Sequence, residues 1–218
     1  MIKKAILFDL DGTLIHTLPD LTDGINYMLQ GREFSEVTEA VIHDYIGDGI
    51  YMLIKRVLPV NSSEEEIKKG IDEFRKYYSV NMANKSRPYP GVVEITKQLK
   101  KEGYLLGVIT NKLDSAAKLL CNQFYPHFDI VIGNTEKFKP KPDPSMVEYI
   151  IEQLGTDKKS VIFIGDSDVD VKTATDADIP CITITWGYRS KEQLKAAGAK
   201  YFAADANELY NVVKEILN

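Results

Sequence analysis

Residues Ala5–Leu14 read AILFDLDGTL. The first four are apolar without alternation, which is the pattern of a strand buried on both faces of a sheet. Asp9 and Asp11 follow at once, with Gly12 behind them. Burial disfavours a charged carboxylate, and two close carboxylates repel each other. Either these acids are solvated at a turn, or a positive group and a reactive one sit beside them.

Similar apolar runs recur downstream, at 104–110 (YLLGVIT), 129–133 (DIVIG), 160–165 (SVIFIG) and 180–185 (PCITIT), with a weaker one at 200–204. Helical patterns lie between them at 91–102, 113–124, 144–154, 168–177, 190–197 and 206–217. Gly103, Gly155 and Gly198 each follow such a pattern, where a glycine can take the left-handed conformation that ends a helix. Strands alternating with helices of this length imply parallel pairing through helical crossovers. The expected fold class is α/β, a doubly wound, Rossmann-like parallel sheet with helices on both faces.

Residues 15–84 break that rhythm and offer no convincing strand. Leu18, Leu21, Ile25, Met28 and Leu29 recur at helical spacing, as do Ile67, Ile71, Phe74 and Tyr78. Ser62 and Ser63 stand at capping-box distance from Glu65 and Glu66 and mark a helix start. The segment 84–91 (NKSRPYPG) reads as a return linker stiffened by Pro88 and Pro90. The expected organisation is an α/β core of residues 1–14 and 85–218, with a small helical domain of residues 15–84 inserted after the first strand.

Composition sets further bounds. The chain has 218 residues, 44% hydrophobic and 27% charged, which suits a globular protein with a sizeable core. Its net charge is −5 and no basic stripe appears, so nucleic acid is a poor partner. An anionic ligand must be held by local positive groups or a metal. Cys121 and Cys181 form neither a metal spacing nor a disulfide framework. The apolar run at the start ends at Phe8, too short for a signal peptide, and no stretch approaches a membrane span. A cytoplasmic protein without membrane association is expected, as a monomer or homodimer.

In open parallel sheets, ligands bind outside the carboxyl ends of the strands. Past the first strand lie Asp9, Asp11, Gly12 and Thr13; past the second, Thr110, Asn111 and Lys112. KPKPDP at 139–144 follows the third, and Gly165, Asp166, Ser167, Asp168 and Asp170 follow the fourth. These groups converge on one edge of the sheet. Clustered acids need a cation, and oxygen ligands with spare positions suit Mg2+, which binds through one or two carboxylates plus a substrate phosphate. A lysine beside them suits a phosphoryl oxygen. One carboxylate could then attack phosphorus, while a second protonates the leaving oxygen and later activates water.

DLDGTL at 9–14, ITNK at 109–112, KPKPDP at 139–144 and GDSDVD at 165–170 resemble the four ordered motifs of the haloacid dehalogenase-like hydrolases. The resemblance covers nearly the whole chain. It implies that Asp9 is the nucleophile and a Mg2+ ligand, and that Asp11 is the acid/base and a metal ligand through its backbone carbonyl. It implies that Thr110 and Asn111 hold the phosphoryl group and that Asp166 is the remaining metal carboxylate. Lys139, followed by Pro140 and Pro142, matches the motif lysine, with Lys141 as second choice. Asp170 would orient Lys139 or a metal-bound water. The inserted helices resemble a small cap that closes over the site, and IGDGIYMLIKRVLP at 46–59 is similar to the Gly-x-Gly cap segment of phosphoglycolate phosphatases. That similarity nominates Gly47, Asp48 and Gly49 as a substrate loop.

The expected activity is thus hydrolysis of a small phosphorylated metabolite, phosphoglycolate first. A pyrophosphatase, a sugar-phosphate phosphatase and a phosphomutase of the β-phosphoglucomutase kind are the alternatives. Several positions depart from the family pattern. His16-Thr17 stands where many members have Asp-Ser. Asp48 places a negative charge beside an anionic substrate unless it faces away, and Lys55 or Arg56 could compensate it. Asp178 replaces a common glycine, although Asp tolerates left-handed backbone.

Overall fold

A computed structural model describes residues 3–32 and 34–217. The first strand, β1 (Ala5–Phe8), lies fully buried at the centre of a six-stranded sheet. Its neighbours are β4 (Leu105–Leu113) on one side and β6 (Val161–Gly165) on the other, with Ala5 level with both Leu105 and Val161. With β5 (Ile130–Asn134), β7 (Cys181–Ile184) and β8 (Tyr201–Ala203), the order is β5-β4-β1-β6-β7-β8, every pair parallel.

Alternate residues of the central strands feed two cores, as the two-residue period of a strand requires. Ala5, Leu7, Val161 and Phe163 pack beneath α7 (Ser145–Leu154) and α8 (Asp168–Asp176). Ile6, Phe8, Ile162 and Ile164 pack on the opposite face, with α5 (Val92–Lys101), α6 (Asp114–Phe124) and α10 (Ala206–Leu217). A short α9 (Lys191–Ala196) precedes β8. Both faces are therefore covered, and the doubly wound arrangement expected from the run pattern is what forms. Gly103, Gly155 and Gly198 all adopt positive φ after their helices, and Asp178 does so at φ 58°.

Four helices fill the chain between β1 and α5: α1 (Leu18–Gln30), α2 (Glu39–Tyr45), α3 (Gly49–Val57) and α4 (Glu64–Asn81). Of the two serine–glutamate pairs, Ser63 and Glu66 form the capping box. The apolar stripes of α1 and α4 bury Leu21, Ile25, Met28, Ile67, Ile71 and Phe74 in a core continuous with that of the sheet. Two strands too short to show any alternation, β2 (Ile15–His16) and β3 (Arg87–Pro88), pair antiparallel where the chain enters and leaves these helices. No helix among the described residues is long and apolar enough to cross a membrane.

Candidate active site

Asp9 begins where β1 ends, and its backbone still donates to Ile164 of β6 at 2.9 Å. The chain then turns tightly, with the amides of Thr13, Leu14 and Ile15 all donating to the Leu10 carbonyl. Gly12 makes the turn at φ 83°, and a Cβ there would collide with the Asp166 carboxylate. Asp166, at the end of β6, is fixed at both oxygens. Thr13 Oγ1 donates to Oδ1 at 3.0 Å and the Tyr188 amide donates to Oδ2 at 2.7 Å.

Asp170 sits in the first turn of α8 and serves two neighbours. Its Oδ2 accepts from the Ser167 amide at 3.0 Å and the Ser167 hydroxyl at 2.6 Å, closing the capping box of α8. Its Oδ1 accepts from Lys141 Nζ at 2.6 Å. Lys141 Nζ also lies 2.9 Å from Asp9 Oδ1. That contact is an ion pair without hydrogen-bond alignment, so the buried Asp9 Oδ1 has no hydrogen-bond donor.

The lysine of this site is Lys141. Lys139, the expected choice, is exposed and reaches only Asp143, at 3.9 Å. The reason lies in Asn111. Its Oδ1 accepts from the Lys141 amide at 2.7 Å and its Nδ2 donates to the Lys141 carbonyl at 3.0 Å. This pins residue 141, not 139, over the strand ends. Asn111 Nδ2 also reaches the Gly47 carbonyl, at 3.2 Å. Its side chain is thus spent on backbone, while Thr110 Oγ1 accepts from the Lys112 amide at 3.3 Å.

One carboxylate oxygen from each of Asp9, Asp166 and Asp170 lies within 4.8 Å of the others, all three residues buried. Burial raises the pKa of Asp9; Lys141 opposes that, and the charges of Asp170 and Asp11 add to it. Asp166 is raised by burial and by Asp170 and Asp9. Lys141 stays charged, because Asp170 and Asp9 outweigh the burial that works against it. Three carboxylates against one ammonium leave room for a dication. The undonated Asp9 Oδ1 and the Asp9–Asp166 pair of oxygen ligands fit a hard cation such as Mg2+. Asp170, saturated by Lys141 and Ser167, fits a role in aiming Lys141.

Asp11 points elsewhere. Its Oδ1 accepts from Thr17 Oγ1 at 2.7 Å and Lys112 Nζ at 2.9 Å, and its Oδ2 lies 3.2 Å from the same ammonium. Lys112 Nζ also donates to Tyr78 Oη of α4 at 2.8 Å. Burial pushes the Tyr78 phenol up to about 12.

A cavity of about 70 Å3 links these groups, several times the roughly 10–15 Å3 that one water needs. Asp9, Asp11, Thr110, Lys112, Lys141 and Asp166 line it from the sheet side. Gly47 and Gly49 line it from the inserted helices; Asp48 does not. Arg56 Nη2 holds Asp48 Oδ2 at 2.5 Å on the outside, so Asp48 drops out of the expected substrate loop. Arg189 reaches over from beyond β7 and donates to the carbonyls of Ile46 at 2.7 Å and His43 at 3.3 Å. Thr13, Tyr78, Lys112, Tyr188 and Arg189 carried no assigned role in the sequence. Thr13 stands within the first motif, Lys112 ends ITNK, Tyr188 ends the stretch TWGY at 185–188, and Tyr78 belongs to the apolar stripe of α4.

The family model for haloacid dehalogenase-like hydrolases matches residues 6–184. A phosphoglycolate phosphatase of Mesorhizobium japonicum is 34% identical over 196 residues, covering 88% of this chain and 86% of the relative. One from Haemophilus influenzae is 31% identical, covering 96% and 98%. A solved structure from Haemophilus somnus, named as a predicted phosphoglycolate phosphatase, superposes with a TM-score of 0.90 at 30% identity, covering 97% and 98%. Another from Lactobacillus delbrueckii reaches a TM-score of 0.92 at 27% identity, covering 98% and 99%. By its motifs, its topology and these likenesses, the chain belongs to the haloacid dehalogenase-like hydrolases.

Proposed function

We propose that the chain is a Mg2+-dependent phosphatase of small phosphomonoesters, with phosphoglycolate as substrate, working through an aspartyl-phosphate on Asp9. The observation that carries this reading is the Asp9 carboxylate, buried at the end of β1 with one undonated oxygen 2.9 Å from Lys141 Nζ. The relatives' names supply the substrate.

Asp9, Asp166 and the Asp11 backbone carbonyl would hold Mg2+, which supplies the positive charge that lets two anions meet. Asp9 attacks phosphorus; its O–P bond forms as the ester O–P bond breaks. Asp11 gives its proton to the leaving oxygen and afterwards takes one from the water that attacks the aspartyl-phosphate, freeing Asp9 and phosphate. Lys141, the Thr110 hydroxyl and the Asn111 amide balance the phosphoryl oxygens. Residues 15–84 act as a cap that excludes water, with Asn111 and Arg189 holding its loop through the carbonyls of Gly47 and Ile46.

The test is phosphate release with Mg2+ and with chelator, over phosphoglycolate, pyrophosphate, sugar phosphates and p-nitrophenyl phosphate. Turnover that needs Mg2+, disappears in Asp9→Asn and is fastest on phosphoglycolate is the expected result. No release from any ester would overturn the reading.

A further inference from the structure

Lys112 is held in a way that opposes the reaction just proposed. Its side chain is 5% exposed. Its ammonium is shared between the Asp11 carboxylate, at 2.9 and 3.2 Å, and Tyr78 Oη, at 2.8 Å. Thr17 Oγ1 holds the same Asp11 oxygen that Lys112 does. Asp11 therefore has to turn away from Lys112 before it can protonate a leaving oxygen. That step would strip a buried ammonium of its one carboxylate partner among the described residues, and an uncompensated buried charge is strongly unfavourable.

The surroundings offer no replacement. The other acids lining the cavity are Asp9 and Asp166, already engaged with Lys141 and with Thr13 and Tyr188. Asp48 is tied outside by Arg56. The walls that the inserted helices add around Tyr78 are the apolar Leu21, Ile50, Leu53 and Phe74. A replacement anion can come only from the ligand.

We infer that the carboxylate of the leaving group takes the place of Asp11 on Lys112 Nζ and Tyr78 Oη. The group displaced is itself a carboxylate, so one of the same size and charge satisfies the same two contacts. Lys112 and Tyr78 are thus the residues that select a phosphorylated small hydroxy acid over a neutral phosphate ester. Substrate binding and release of the acid/base become one exchange: Asp11 leaves Lys112 as a carboxylate, takes a proton from water and then has one to give to the leaving oxygen, whereas without the second anion it stays on Lys112. This inference rests on the phosphatase reading.

Phosphoglycolate and ethyl phosphate differ by a carboxylate in place of a methyl, and the ratio of their kcat/KM values isolates the contact. The wild-type ratio is expected to be about 100 or more, since a site built for a polar group rejects the analogue lacking it. Lys112→Met slows both esters, because Lys112 also holds Asp11, and is expected to bring the ratio within about fivefold of unity. Tyr78→Phe, which removes only a hydroxyl, should lower the ratio about tenfold. A ratio unchanged in both variants would assign Lys112 to positioning Asp11 alone and overturn the inference. A wild-type ratio near unity overturns it with no variant needed, so a Lys112→Met protein that fails to fold does not protect it. Hydrolysis of ethyl or p-nitrophenyl phosphate without preference for phosphoglycolate would sink this inference and leave the phosphatase reading standing. Inactivity on every ester removes both.

Discussion

Ser86 donates to Asp20 twice, from its amide and from its hydroxyl, each at 2.7 Å to the same carboxylate oxygen. The Lys85 amide adds a further contact, 3.0 Å from each oxygen. Asp20 lies in the first turn of α1 and Ser86 just before β3, both buried, so this cluster fastens the chain's entry to the inserted helices against its exit. Asp20→Ala leaves two backbone amides and a hydroxyl with no acceptor. It is expected to cost about 2–4 kcal/mol of stability, read from urea unfolding. A loss below about 0.5 kcal/mol would show the fastening to be slack.

The two lysines of KPKPDP should separate cleanly. Lys141→Met removes the ammonium that pairs with Asp9 and is expected to lower kcat/KM by about 100-fold or more. Lys139→Met, at an exposed position 3.9 Å from Asp143, should stay within about twofold of wild type. The reverse ranking would return the catalytic role to Lys139.

Asp9 and Asp166 both have raised pKa values, chiefly through burial. The folded protein therefore keeps protons that the unfolded chain releases. Without a divalent ion, the stability these two carboxyls contribute is full below the ordinary carboxylate range and is lost as pH rises through the raised values. A bound dication competes with those protons. The gain in Tm on adding Mg2+ should accordingly grow between about pH 5 and about pH 8. A gain independent of pH would place the ion away from these carboxylates.

Gly187 approaches Asp166 so closely that a Cβ would overlap its side chain. Gly187→Ala must push Asp166 off the donors Thr13 and Tyr188. About 1–3 kcal/mol of stability should go, together with a weaker Mg2+ response in thermal melts. A variant that melts with a wild-type response would mean that the backbone at 187 yields instead.

The sheet was legible because the central strands carry apolar runs and because Gly103, Gly155 and Gly198 mark the ends of three of the helices between strands. The acids were legible because they sit at strand ends, where a purely structural sequence has little reason to place them. The choice between Lys139 and Lys141 was not, since Lys-Pro occurs twice at a two-residue offset and a tertiary contact from Asn111 decides it. The outward turn of Asp48 depends on Arg56, one of two nearby basic residues that the pattern left equivalent. The Lys112–Tyr78 pair joins a strand end to a helix 34 residues earlier, a separation with no periodic signature. β2 and β3, at two residues each, are too short for alternation to register.

Ala5 is level with Leu105 on one side and Val161 on the other. During synthesis β1 must therefore wait for both of its partners, the second of which emerges about 150 residues after it. Closing loops of that length is slow and entropically costly, whereas the inserted helices are contiguous and can fold on local contacts meanwhile. Asp9 has no strand partner for its amide until Ile164 arrives. Nascent or truncated chains ending before β6 would present an exposed apolar strand and no assembled carboxylate cluster, so hydrolytic activity reports that β6 has been made and docked.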